Sequence, residues 1–288
     1  FLKKNTNLSN KEINLISYGF QSGSYIKYFN KNKNNPILNS YYNQIYSVLN
    51  NFIKLRYSVI EAGSGEGNML FQMMRRFKKK KNSFFGFDYS FSRLYLGKKN
   101  LEKYKIKPNI FLSDMTNIGV TNNSFDVVFT NHALEPNGGN EKIILKELLR
   151  IANKYVILFE PIYELSPKIN QKRMDRLGYV KNLYKICKKL DCRVIEHKLL
   201  DTSINKKNLT GVIILKKKKT KKNRLSYKCV LTDQKIYNKE AFYYNKSIGI
   251  IYPVIKKIPI LIDKAAIIAP NIWIVQKFLW KKKFYVLI

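Results

Sequence analysis

The stretch Val59-Ile60-Glu61-Ala62-Gly63-Ser64-Gly65-Glu66-Gly67-Asn68 decides how the rest of the chain is read. Val59 and Ile60 are β-branched and read as the end of a buried strand. Gly63, Gly65 and Gly67 follow at alternate positions, and beyond them Met69, Leu70, Met73, Met74 and Phe77 share one side of a helix. Strand, glycine turn and helix is the context in which such glycines serve a ligand. They reach positive φ and place no Cβ between the backbone and what it binds. Dinucleotide folds space these glycines G-x-G-x-x-G, so that a pyrophosphate rests on the helix N-terminus. Here the spacing is G-x-G-x-G, with Glu61 before it and Glu66 inside it. Two carboxylates repel a pyrophosphate and suit a ligand that carries positive charge.

Further along, Ser83-Phe84-Phe85-Gly86-Phe87-Asp88 reads as a second buried strand ending in a carboxylate. An acid about 20 residues past the glycines, closing the next strand, is placed to accept both hydroxyls of a ribose. The competing reading of Asp88 is the N-cap of a helix that starts near Ser90 and runs from Phe91 to Tyr104. Pro108 to Asp114 is a third short strand, again with a terminal carboxylate. Asn122 to His132 is a turn and a fourth strand, which delivers Thr130, Asn131 and His132 to the sheet end that carries the glycines. After a helix with Ile144, Leu145, Leu148, Leu149 and Ala152 on one face, Tyr155 to Pro161 is a fifth buried strand. A helical region from Gln171 to about Leu190 precedes strands at 193–200 and 211–215. Strands alternating with helices, then a terminal pair, predict an open, doubly wound Rossmann-like α/β sheet with an antiparallel edge hairpin.

Acid-x-G-x-G-x-G after a strand resembles motif I of the class I methyltransferases, and the element order over residues 15–216 is similar to theirs. The resemblance implies S-adenosylmethionine, whose ammonium and sulfonium supply the positive charge. It places Glu61, Gly63, Gly65, Gly67, Asp88, Tyr89 and Asn131 around that cofactor. Asp114 would receive the adenine amino group, with Met115 beside the ring; a cap or turn role for Asp114 stays open. Asp126, in the Phe125-Asp126-Val127-Val128 strand start, is structural in this family. His132 and Glu135 fall near the methyl group. A hydroxyl acceptor needs a base as its proton leaves, and His132 is the better candidate by intrinsic pKa; a role in orienting the loop is the alternative. The Glu135-Pro136-Asn137-Gly138-Gly139 loop, Phe159 to Glu164, Arg173-Met174 and Gly178-Tyr179 resemble bacterial methyltransferases of surface-glycan biosynthesis. That resemblance implies a small-molecule or glycan acceptor.

Residues 1–56 carry helical patterns, read as an N-terminal cap, with a break at Asn34-Asn35-Pro36. Residues 57–216 form the cofactor-binding unit and 217–224 a basic linker. From 225 to 269 the string Tyr252-Pro253…Ile258-Pro259-Ile260-Leu261 resembles the small zinc-ribbon-like activator domains of methyltransferases. Of their cysteines only Cys229 remains, with Thr232 where its partner would stand. Structural zinc takes four N or S ligands, so no metal is expected. Residues 270–288 are an apolar, basic tail.

A formal charge of +35, from 54 Lys and Arg against 19 Asp and Glu, allows contact with RNA or an anionic surface through lysine-rich faces; the alternative is a compositional habit, since Lys, Asn, Ile and Tyr are abundant throughout. Lysine far outnumbers arginine, which suits long-range steering better than bidentate phosphate recognition. Three cysteines make no disulfide framework and fit a reducing, cytoplasmic compartment. No run of 18 apolar residues predicts a transmembrane helix.

Overall fold

The structure, a computed structural model, describes residues 7, 8 and 10–272; the expected tail with Trp273, Phe278 and Trp280 lies outside them. Three helices open the chain: α1 (Asn10–Phe20), α2 (Ser24–Lys31) and α3 (Pro36–Phe52). The break expected at Asn34-Asn35-Pro36 is a helix start. Asn35 caps α3 by accepting the Leu38 N–H at 3.1 Å, and Pro36 occupies the first turn, where no N–H is needed.

The core is a sheet flanked by helices. Strands β1 (Ser58–Ala62), β2 (Ser83–Asp88), β3 (Asn109–Ser113), β4 (Phe125–Asn131) and β5 (Ala152–Pro161) run parallel. Strands β6 (Cys192–Leu199) and β7 (Thr210–Lys217) form the antiparallel hairpin, with β7 paired to β5. The order is β6-β7-β5-β4-β1-β2-β3, the α/β architecture that the sequence predicts. Val59, Ile60, Val127, Val128, Val156 and Ile157 are fully buried, as strands covered on both faces must be. The intervening helices are α4 (Asn68–Arg76), α5 (Phe91–Lys103) and α6 (Glu141–Ile151). The helical region expected over 171–190 is two helices, α7 (Lys168–Leu177) and α8 (Leu183–Lys188). Gly178, at φ 66°, ends the first of them.

The basic run that begins with the last residue of β7 is anchored as well as solvated. Lys217 donates to the carbonyls of Leu149 and Ala152 at 2.7 and 2.9 Å, and Lys222 pairs with Asp126. Asp126 is 3% exposed and also accepts the Ser58 N–H at 3.0 Å. Burial alone would raise its carboxyl; Lys222, the Ser58 amide and Lys154 outweigh burial and hold it below the usual range. Asp126→Ala strands the Ser58 donor, so urea unfolding should show a loss of about 1–3 kcal/mol; unchanged stability would contradict this structural role. A depressed carboxyl stabilises above its unfolded pKa, and the contribution fades as pH falls through the folded one.

Beyond the basic run come β8 (Tyr237–Asn238), β9 (Phe242–Asn245), β10 (Ile250–Ile255), β11 (Ile258–Leu261) and β12 (Ile267–Ile268). These pair antiparallel with one another, and β11 pairs parallel with β3. The C-terminal strands therefore extend the main sheet past β3. Gly119 permits the seam, since a Cβ there would lie 2.7 Å from Leu261 Cβ. Cys229 is buried, its Sγ 3.2 Å from the Tyr252 hydroxyl. Among the described residues no helix is long and apolar enough to cross a membrane.

Candidate active site

Parallel strands deliver their C-terminal ends to one edge, and a cavity of about 660 Å³ opens there under α1, α2 and α3. The loop after β1 forms its floor. Gly63, Gly65 and Gly67 have φ of 73°, 54° and 71°, a region that L side chains rarely occupy. The N–H groups of Gly63 and Ser64 both reach Phe87 O at 2.9 Å, and Gly65 N–H reaches Asp88 Oδ2 at 2.8 Å. A Cβ on Gly63 would lie 2.4 Å from Ala133 Cβ and 2.5 Å from Met115 Cε. The loops after β1, β3 and β4 thus meet over one glycine. Of the three glycines, Gly63 alone lines the cavity; Gly65 and Gly67 shape the turn behind it.

Glu61, Asp88, Tyr89, Asp114, Met115, Asn131, His132 and Glu135 all line this cavity. Glu61 is 2% exposed, and its Oε2 has no partner among the described residues. Burial, against the Leu70 amide, holds its carboxyl well above the usual range, with the Asp88 charge adding to the rise. Asp88 takes the Gly65 N–H on one oxygen and the Ser90 N–H on the other, each at 2.8 Å. The α5 cap is Ser90, whose hydroxyl faces the Arg93 N–H, so the N-cap alternative for Asp88 falls. Asp114 Oδ1 accepts from the Thr116 amide and hydroxyl at 2.9 and 2.8 Å, a local turn that leaves its side chain at the cavity wall. Asn131 Oδ1 accepts from the Tyr41 hydroxyl at 2.6 Å.

Glu66 behaves differently from the charge argument made for it. Its two oxygens accept the Gly23 and Ile26 N–H groups at 2.8 Å each. These are N-terminal amides of α2, where a carboxylate is favoured. The side chain therefore docks the helical cap on the glycine loop.

His132 sits just past β4 at φ 52°, a left-handed conformation costing about 1 kcal/mol or more in a residue with a Cβ. Its N–H is fixed to Phe159 O at 2.9 Å. Nδ1 lies 3.1 Å from Glu135 Oε2, and Nε2 lies 2.7 Å from Thr210 Oγ1. Asn208 Nδ2 donates to the same Glu135 oxygen at 2.8 Å. Burial pulls the imidazole pKa down, but the hydrogen bond and charge of Glu135, with Glu160, leave it raised overall. Glu160 is 1% exposed, accepts the Ala133 N–H at 3.0 Å, and is pushed by burial to about 7.

Sequence reasoning misses Tyr41, Asn208, Thr210 and Arg93. Tyr41 comes from the cap and Asn208 and Thr210 from the hairpin, each far in sequence from its partner. Arg93 lies five residues past Asp88 on α5, with its guanidinium carbon 4.9 Å from the Tyr18 ring centre. The aromatic string Tyr18 to Tyr25 was the available hint.

A family model described as a methyltransferase domain matches residues 53–240. A SAM-dependent methyltransferase structure from Methanosarcina mazei is similar with a TM-score of 0.52, at 15% identity, covering 60% of this chain and 98% of that one. Magnesium protoporphyrin IX methyltransferase from Synechocystis PCC 6803, with bound SAM, is similar with a TM-score of 0.52 at 14% identity, covering 74% and 100%. At these identities the likeness is one of fold. No curated protein matches the chain. The family match spans the glycine loop, all three strand-end carboxylates and the His132 loop, and the chain accordingly belongs to the methyltransferase-domain family, as an S-adenosylmethionine-dependent methyltransferase.

Proposed function

We propose that this chain methylates a hydroxyl of a small-molecule or glycan acceptor, in the assembly of surface polysaccharide. The observation that carries the reading is that strand-end carboxylates and a His132–Glu135 pair line one cavity. S-adenosylmethionine, when bound, supplies an electrophilic methyl group on a sulfonium. The residues present fit it. Glu61 offers a buried, unpartnered oxygen to a cationic group. Asp88 holds the glycine turn with one lone pair on each oxygen and keeps another on each for a vicinal diol. Asp114 would accept from an adenine amino group, with the Met115 side chain beside the ring. Gly63 lines the cavity and lets Ala133 and Met115 close over the turn, where any side chain would collide with them. Asn131, fixed by Tyr41, would stand between the cofactor and the acceptor.

At the acceptor side, Glu135 and His132 act as one unit. Thr210 anchors Nε2 from behind, while Glu135 and Asn208 face the cavity. The pair is placed to take the proton of an acceptor hydroxyl. Glu66 ties the start of α2 to the glycine loop and so holds the cap over the cavity.

Calorimetric titration with S-adenosylhomocysteine tests the reading. One site per chain is expected; no heat of binding would overturn it. The +35 charge favours a second reading, RNA as acceptor. RNA affinity that falls steeply with log salt would support that reading over the first.

A further inference from the structure

Two arginines, Arg93 lining the cavity and Arg173 on α7 outside its lining, each carry an N–H group that nothing among the described residues accepts. Arg93 lines the cavity, its guanidinium carbon 4.9 Å from the Tyr18 ring centre and 5.0 Å from that of Tyr25. It leans over the glycine turn, where a Cβ on Gly65 would lie 2.4 Å from Nη2. Its Nε is shielded from solvent and has no acceptor. Arg173, on α7, repeats the arrangement. Its guanidinium carbon stands 5.5 Å from the Tyr179 ring centre, and its Nη1 is shielded without an acceptor.

The Tyr179 segment adjoins the cavity wall. Val180 N–H reaches Glu135 O at 3.1 Å. The Gly178 carbonyl leaves no room for a Cβ on Gly138, which would lie 2.3 Å from it. Burial first, then the charge of Glu135, hold the Tyr179 phenol above its ordinary value against the charge and hydrogen bond of Arg173.

A shielded guanidinium donor without an acceptor is costly, and a guanidinium stacked on aromatic rings is already oriented, so it loses less entropy when an anion docks. Asp88, Asp114 and Glu135 repel an anion over the rest of the cavity. We propose that the acceptor carries a carboxylate or phosphoryl group, gripped by Arg93 and Arg173 between Tyr18, Tyr25 and Tyr179. This fixes which end of the acceptor meets His132 and Glu135, and alignment of that kind is a principal source of rate in a displacement. The word acceptor rests on the methyl-transfer reading; the unpartnered donors do not.

The test is titration of inorganic phosphate, followed by ³¹P NMR, into unliganded protein and into protein saturated with S-adenosylhomocysteine. Arg93→Gln and Arg173→Gln should each weaken phosphate binding by at least about tenfold, the loss of one charge-assisted contact. Lys79→Gln, at an exposed lysine in the run before β2, removes the same charge and should change nothing. Affinity for S-adenosylhomocysteine should stay within about twofold in both arginine variants, since neither contact is assigned to it. Equal phosphate affinity in all four proteins would overturn the proposal. A large loss of S-adenosylhomocysteine affinity in Arg93→Gln, with phosphate binding unchanged, would overturn it by giving Arg93 to the cofactor's own carboxylate. If S-adenosylhomocysteine fails to bind the parent protein, the methyl-transfer reading falls; the phosphate arm on unliganded protein still decides the arginines.

Discussion

Asp88→Ala is expected to weaken S-adenosylhomocysteine binding by about 10²–10⁴-fold. Two charge-assisted hydrogen bonds to a vicinal diol are lost, each worth about 1.5–3 kcal/mol. A further effect adds to this. Asp88 holds the Gly65 N–H from one side and the Ser90 N–H from the other, so its removal frees the turn that shapes the ligand's floor. Asp88→Asn separates the two effects. Its single carbonyl oxygen retains one backbone contact and one acceptor for the diol, and its affinity should fall between the parent and the alanine variant. Calorimetry on the three proteins measures this series. Parent-like affinity in Asp88→Ala would remove the ribose assignment, whatever its effect on stability.

The parts of this site that are legible in sequence are those that the backbone itself places. Gly63, Asp88, Asp114 and His132 each follow a β-branched or aromatic run, and parallel pairing brings those run ends to one edge. The alternation of strand and helix was equally plain, because buried strands read as unbroken apolar stretches. What was hidden depends on contacts between distant segments. Glu66 lies inside the motif, yet its carboxylate serves the amides of Gly23 and Ile26 in the cap. Thr210 and Asn208 reach His132 and Glu135 from the hairpin at the other flank of β5. The pairing of β11 with β3 joins residues about 150 positions apart, and short apolar strands specify no such partner by periodicity alone. The run 217–224 reads as a basic linker, yet Lys217 and Lys222 find acceptors that only the folded chain assembles.

The two histidines should titrate on opposite sides of the ordinary imidazole value of 6.5, and Glu135→Gln should move only one of them. His132 is raised: burial lowers it, and Glu135 and Glu160 more than compensate. His197, stacked on Tyr184 at 4.2 Å, is lowered by burial, which outweighs Glu164. Ring-proton NMR across pH resolves both, since the chain has no other histidine. In Glu135→Gln the carboxylate is gone while the side chain keeps its shape, so the His132 value should drop, with His197 as the internal control. A His132 titration indifferent to Glu135 would dissolve the pair. The sign of the shift sets stability and activity against each other. A histidine raised on folding stabilises below its unfolded pKa, and that contribution is lost as pH rises through the folded value. A base works only once deprotonated, so turnover should climb over the range in which this stabilisation disappears. In Glu135→Gln the acid limb of turnover should shift to lower pH, following the imidazole. His132→Gly tests the base directly, because it removes the ring and relieves the left-handed backbone strain at that position. Turnover should fall by about 10²–10⁴-fold with S-adenosylhomocysteine affinity retained; undiminished turnover would leave His132 a loop-orienting residue and pass the proton to Glu135 alone.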